Sequence, residues 1–250
     1  MHKLFLANWK MYLSDADAEA LARVFLESAL ATPADVAVAP SFTALDRVAR
    51  VLHGSPVSLG AQDVFWTDGG AYTGEVSPRQ LLDLGARYAI IGHSERRAYL
   101  GETDAMVAKK ASAAQSAGLT PVICVGETME ERESGRHEAR VSSQVLSACE
   151  GLPVSPDRPL VVAYEPRWAI GSGTPCRVED VVLMHGVIRA TLAGLAGEDA
   201  ARSVRVLYGG SVDRSNVAEY LASPAVDGAL VGGASTRPDE VRALISAFAR

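Results

Sequence analysis

Asn8, Lys10, His93 and Glu165 are the side chains in this 250-residue chain whose types and settings suit chemistry at a carbonyl group. Glu165 follows the apolar run 160–164 and opens Glu165-Pro166-Arg167-Trp168-Ala169-Ile170-Gly171. A glutamate ending a strand is ordinarily a solvated loop residue. Here Pro166 fixes the backbone direction, Trp168 supplies an apolar wall, and Gly171-Ser172-Gly173 supplies a mobile tip. Segment 166–176 therefore reads as a lid over a carboxylate base. Apolar enclosure removes competing water and suits proton abstraction.

His93 follows Ala89-Ile90-Ile91-Gly92 and opens Ser94-Glu95-Arg96-Arg97. Packing alone explains one such histidine as well as catalysis does. A histidine at a helix N-terminus meets the positive end of the backbone dipoles, which disfavours imidazolium. Such a ring serves as a neutral donor and proton shuttle. His53, His137 and His185 lie in helical patterns and read as surface or packing residues.

Lys10 and Asn8 are two residues apart, so in an extended segment both side chains face one side. An ammonium and an amide there can hold a phosphate ester and a carbonyl oxygen. Glu95 is the expected ion-pair partner of Lys10. Gly209-Gly210-Ser211 and Gly232-Gly233-Ala234-Ser235 each sit between a strand pattern and a helical one. A single Gly-Gly pair is usually a tight turn. Two of them late in the chain match a barrel phosphate site, where missing side chains let backbone N–H groups approach phosphate oxygens. No GxxxxGK[ST] or GxGxxG stretch is present, which disfavours a nucleotide site.

These residues need elements that bring them together. Residues 4–9, 36–39, 57–61, 88–91, 121–125, 160–164, 204–208 and 228–231 are nearly continuous apolar runs, the pattern of strands buried on both faces. Helical stripes alternate with them. Leu21, Val24, Phe25 and Ser28 follow a cap at Ser14, and Val241, Leu244, Ile245 and Phe248 follow Pro238. Eight such units in a chain of this length favour an α/β fold, a single (β/α)8 barrel over residues 1–250 with a parallel eight-stranded sheet. A doubly wound sheet is the alternative, because strand count does not show closure. In a barrel every candidate residue lies at the C-terminal end of a strand, on one shared face.

Composition narrows the class. Hydrophobic residues make up 48%, enough for a large core, and the net charge of −6 comes with scattered basic residues. No nucleic-acid partner is expected from that distribution. No apolar run reaches the roughly 20 residues of a membrane span, and the N-terminus lacks a signal-peptide pattern. Cys124, Cys149 and Cys176 are odd in number and lack metal-ligand spacing, so no metal site is expected and the setting is the cytoplasm.

Taken in order, Asn8-Trp9-Lys10-Met11, His93-Ser94-Glu95-Arg96-Arg97, Tyr164-Glu165-Pro166, Trp168-Ala169-Ile170-Gly171, Tyr208-Gly209-Gly210-Ser211-Val212 and Leu230-Val231-Gly232-Gly233-Ala234-Ser235 resemble the triosephosphate isomerase family over the whole chain. The resemblance implies a cofactor-free interconversion of dihydroxyacetone phosphate and D-glyceraldehyde 3-phosphate through an enediolate. It implies Glu165 as base, with neutral His93, Lys10 and Asn8 stabilising the enediolate oxygens. Amides near Gly171, Ser211, Gly232 and Gly233 would grip the phosphate, with Ser94, Glu95, Glu127, Trp168 and Tyr208 in support. Glu127 resembles the partner of Trp168 in the open lid. Alternatives are an isomerase of a tetrulose phosphate and a phosphate-binding barrel without catalysis. A Schiff-base aldolase is disfavoured, since Glu165 rather than lysine ends the sixth strand.

The chain departs from the family pattern at several positions. Arg167 replaces a small apolar residue, and Thr174-Pro175-Cys176 replaces a lysine-containing trio at the lid hinge. Segment 62–77 resembles the loop that the family inserts into a neighbouring subunit, which implies a homodimer. Within it Asp63 and Tyr72 replace asparagine and phenylalanine, and Tyr12 takes an asparagine position. Phe65, Trp66 and Tyr72 either enter a partner or fold back on their own barrel, and Arg96 with Glu75 is a candidate pair across the interface.

Overall fold

A computed structural model describes residues 1–170 and 175–249. Gly171, expected at the phosphate, lies outside the described residues together with the lid residues 172–174. Strands β1 (Leu4–Asn8), β2 (Asp35–Ala39), β3 (Val57–Ala61), β4 (Ala86–Ile91), β5 (Thr120–Val125), β6 (Val161–Tyr164), β7 (Arg205–Tyr208) and β8 (Gly228–Val231) pair in sequence order. All pairings are parallel, and β8 closes on β1 with Leu4 opposite Gly228 and Ala7 opposite Val231. The doubly wound alternative is excluded by this closure. Around the barrel run α1 (Asp15–Ala29), α2 (Leu45–Leu52), α3 (Pro78–Asp83), α4 (Ser94–Tyr99), α5 (Asp104–Ala117), α6 (Met129–Glu133), α7 (His137–Cys149), α8 (Val178–Ala196), α9 (Glu198–Ser203), α10 (Val217–Leu221) and α11 (Pro238–Ala247).

Strand alternation divides the apolar residues into two cores. Leu4, Leu6, Tyr88, Ile90, Val122, Cys124, Val161, Ala163, Leu207 and Leu230 fill the barrel interior. Their neighbours, such as Phe5, Ala7, Ile91, Ile123, Val162 and Val206, face the helices. Side chains two residues apart share a face, so Leu4-Leu6-Asn8 and Val161-Ala163-Glu165 are columns whose top members reach the mouth. Phe5 stacks on Phe25 of α1 at 5.9 Å and meets Phe248 at 5.3 Å, while Trp9 packs on Phe25 at 5.7 Å. Each such ring contributes about 1.5–3 kcal/mol by leaving water, and together they fasten both ends of the chain to β1.

Local signals set the helix starts. Ser14 accepts the Asp17 N–H ahead of α1, and Pro238 occupies the first turn of α11, as the sequence predicts. Thr128 and Glu131 form a reciprocal capping box at α6 and so fix the chain just after Glu127.

The segment after β3 is buried near its start, over residues 63–65, and exposed over residues 68–75. Phe65 is buried and stacks on Trp66 at 4.1 Å, with Tyr72 at 4.6 Å and half exposed. Asp63 lies buried beside Lys110 Nζ at 2.7 Å, and Lys110 also meets Glu102 at 2.6 Å. Burial pushes the Asp63 carboxyl up, opposed chiefly by the Lys110 charge. Arg96 does not pair with Glu75 within the chain. It binds Asp63 at 2.8 Å and Glu102 at 3.1 Å, because two buried carboxylates need a second cation besides Lys110.

His185 on α8 is fully enclosed, its Nδ1 3.0 Å from Ala225 O and its Nε2 without a protein partner. Burial pushes its pKa down to about 4. The unfolded chain takes up this proton below pH ~6.5 and the folded chain only below about 4. This contribution to stability is therefore complete above pH ~6.5 and declines by on the order of 3 kcal/mol as pH falls to 4. Urea unfolding of wild type and His185→Asn over that range is expected to show a shallower pH slope in the variant. Identical slopes would contradict the assignment.

Candidate active site

The mouth holds a cavity of about 290 Å³ lined by Asn8, Lys10, His93, Glu165, Ser211 and Gly233, among others. Gly232 lines it too, so all four candidate catalytic residues and three of the four phosphate candidates meet there. Sequence reasoning did not single out two further lining residues, Asp213 and Arg237.

Lys10 reaches the site differently from the expectation. The strand ends at Asn8, and Lys10 has φ 49°, the only left-handed non-glycine residue among those described. Asn8 and Lys10 therefore converge through a turn and not through strand alternation. The Lys10 N–H donates to Asn8 Oδ1 at 3.0 Å, which leaves the Asn8 amide NH2 free to face the cavity. Gln62 fixes the turn from below: its Nε2 donates to Lys10 O at 2.8 Å and to Ala39 O at 3.0 Å. A backbone in this region costs of order 1–3 kcal/mol unless neighbours hold it, and these bonds do so. The Lys10 ammonium lies 2.6 Å from Glu95 Oε1.

His93 is the N-cap of α4, and its Nδ1 accepts the Glu95 N–H at 3.3 Å. In the neutral ring the proton then sits on Nε2. Nε2 lies 3.2 Å from Glu165 Oε1, off the line of a hydrogen bond, and that oxygen has no other partner. Glu165 Oε2 accepts the Ser94 N–H at 3.0 Å. Glu165 is 2% exposed and lines the cavity from its buried side. Gly209 makes room for it: a Cβ there would stand 2.8 Å from Glu165 Cγ. Beneath Glu165, Cys124 is fully buried inside the barrel. Burial first, and then the Glu165 charge, push its thiol well up, so it stays protonated.

The glycine turns are fixed by side chains outside the cavity. Asn216 Nδ2 donates to Ser211 O at 3.1 Å. The buried Ser235 hydroxyl donates to Gly232 O at 2.7 Å, and its N–H bonds the same oxygen at 2.8 Å. Gly233 opens the short turn Gly233–Thr236, whose free N–H groups suit an anion.

The flanks of segment 166–176 are tethered. Glu127 is fully buried, and its Oε1 accepts from Trp168 Nε1 at 2.9 Å and Tyr164 OH at 3.0 Å. Arg132 lies over the Trp168 ring at 5.1 Å and pairs with Asp180 at 2.9 Å. At the other flank the Cys176 N–H donates to Tyr208 OH at 3.1 Å, and Tyr220 OH donates to Cys176 O.

Comparison with known proteins agrees with this geometry. The triosephosphate isomerase family profile matches residues 3–248. A triosephosphate isomerase of Moorella thermoacetica is 49% identical over 232 residues, covering 93% of each chain. That of Carboxydothermus hydrogenoformans is 46% identical over 247 residues, 98% of each. The crystal structure of triosephosphate isomerase from Bartonella henselae superposes with a TM-score of 0.91 at 32% identity, covering all of both chains. With the matching profile, the relatives and the shared barrel in agreement, this chain belongs to the triosephosphate isomerase family.

Proposed function

We propose that Glu165, His93, Lys10 and Asn8 carry out the family's reaction in this chain, with Ser211, Gly232, Gly233 and Gly171 binding the phosphate. The chain is an isomerase that interconverts dihydroxyacetone phosphate and D-glyceraldehyde 3-phosphate. A tetrulose phosphate is not favoured, and a barrel that only bound phosphate would have no use for a buried base. The observation that carries the assignment of roles is the unpartnered Glu165 Oε1 beside His93 Nε2.

Glu165 Oε1 takes a proton from the carbon next to the carbonyl, and the electron pair of that C–H bond forms the enediolate. Its oxygens receive hydrogen bonds from His93 Nε2–H, the Asn8 amide and the Lys10 ammonium. Each donor aimed at developing charge is worth about 3–4 kcal/mol. Protonated Glu165 then returns the proton to the adjacent carbon, while His93 moves a proton between the two oxygens. Glu95 keeps Lys10 in place, and Ser94 N–H orients Glu165. These steps run on side chains alone, without a cofactor. In a coupled assay, Glu165→Gln should lower kcat about 10³-fold. A loss below tenfold would overturn Glu165 as base.

We read 166–176 as a lid, supported by the Trp168–Glu127 and Cys176–Tyr208 bonds at its two flanks. Its chemical need follows from the intermediate. An enediolate phosphate left in water breaks its C–O bond, the pair departs with phosphate, and the remaining enol becomes methylglyoxal. Deleting residues 169–173 should therefore divert turnover toward methylglyoxal. No increase in that product would count against the lid.

A homodimer is supported by where large apolar side chains are exposed. Met11, Tyr12, Phe42, Tyr72, Tyr99 and Leu100, six of the twelve exposed large apolar side chains among the described residues, lie in the segments between β1 and β2, β2 and β3, β3 and β4, and β4 and β5. Tyr99 and Met11 are 81% and 94% exposed, and covering such side chains contributes about 1.5–3 kcal/mol each. In this reading segment 62–77 keeps Phe65 and Trp66 on its own barrel and offers Tyr72 to the partner. Three free buried cysteines accord with a reducing cytoplasm, and no described helix is long and apolar enough to cross a membrane. Sedimentation at micromolar concentration should give twice the 26.3 kDa of one chain, and an active monomer would refute the dimer.

A further inference from the structure

We infer that Tyr220 is a positioning residue for the isomerase: with Tyr208 it holds both peptide units around Cys176 and so fixes the C-terminal flank of segment 166–176. The inference rests on reading that segment as a lid.

Tyr220 belongs to the short helix α10, and its position there reads as ordinary helix packing. Its hydroxyl, however, points to Cys176 O, and its ring lies 4.4 Å from that of Tyr208. Both tyrosines are buried, and Cys176 is 1% exposed. Burial pushes both phenols above their ordinary range, so Tyr220 keeps the proton it donates and Tyr208 accepts as a neutral hydroxyl.

The two bonds act on different peptide units. The Cys176 N–H, which donates to Tyr208, belongs to the peptide that joins it to Pro175. The carbonyl that accepts from Tyr220 belongs to the peptide that leads to Arg177 and α8. Holding one unit leaves the chain free to turn about Cα of Cys176, whereas holding both fixes its φ and ψ. Pro175 adds a ring-locked φ on the lid side. A hinge must absorb φ/ψ change, so the clamp keeps that change away from Cys176. The clamp also abuts the phosphate turn: a Cβ on Gly210 would fall 2.2 Å from the Tyr208 hydroxyl. Tyr208 is therefore wedged between the lid flank and Gly209-Gly210-Ser211, with Tyr220 behind it.

The test uses Tyr220→Phe, which removes the hydroxyl and keeps the ring, beside Tyr208→Phe and a chain lacking 169–173. For each, kcat, KM, the methylglyoxal fraction and Tm are measured with dihydroxyacetone phosphate. Tyr220→Phe should lower kcat/KM about three- to tenfold, the effect of one buried hydrogen bond, and raise the methylglyoxal fraction. The double Phe variant should be less impaired than the product of the two single effects, since both bonds act on one residue. A Tyr220→Phe enzyme with lower Tm but parental kcat/KM and product ratio, while Tyr208→Phe and the shortened chain shift theirs, would overturn the role of Tyr220 alone. A shortened chain without extra methylglyoxal would instead remove the lid reading, and this inference with it.

Discussion

The backbone N–H groups in the first turn of α4 hold the proposed base and the proposed proton shuttle. Ser94 N–H binds Glu165 Oε2, and Glu95 N–H binds His93 Nδ1. The Glu95 side chain holds Lys10 as well. Two consecutive residues, Ser94 and Glu95, thus set the positions of three of the four proposed catalytic groups, drawn from β1, β4 and β6. Moving this turn by an ångström would disturb all three together, and misplacements of that size can cost about 10²-fold in rate.

The arrangement is costly in isolation and stable in context. Glu165 is a carboxylate almost out of water, Lys10 carries a left-handed backbone, and Glu127 is enclosed with one oxygen unpartnered. Hydrogen bonds to charged groups return about 1.5–3 kcal/mol each. Two closed cores, one inside the barrel and one beneath the helices, supply the remainder and keep the donors from relaxing. Polar strain is concentrated at the C-terminal mouth of the barrel, which is where a barrel carries its chemistry.

Much of this was legible in the chain itself. Continuous apolar runs mark strands buried on both faces, and the polar residues that end them fall on one rim because the strands are parallel. Ser14 and Pro238 announced their helices through capping chemistry that depends on neighbours three or four residues away. What escaped reading depends on distant partners. The left-handed turn at Lys10 needs Gln62 from β3's end, and nothing near Lys10 signals it. Arg96 finds Asp63 and Glu102 because a buried lysine leaves two carboxylates incompletely neutralised. Tyr220 carries no local mark at all, since a helix-core tyrosine reveals its hydroxyl's partner only when α10 and Cys176 are side by side.

The most direct test of the α4 turn as organiser is the proton position on His93. A long-range ¹H–¹⁵N correlation spectrum at pH 8, assigned by comparison with a His93→Gln variant, reads which ring nitrogen is protonated. With Nδ1 accepting from Glu95 N–H, the neutral ring should be the Nε2–H form, with Nε2 in the cavity beside Glu165. A ring protonated on Nδ1 instead would contradict the account, because it would break the bond to α4 and leave Nε2 without a proton to offer.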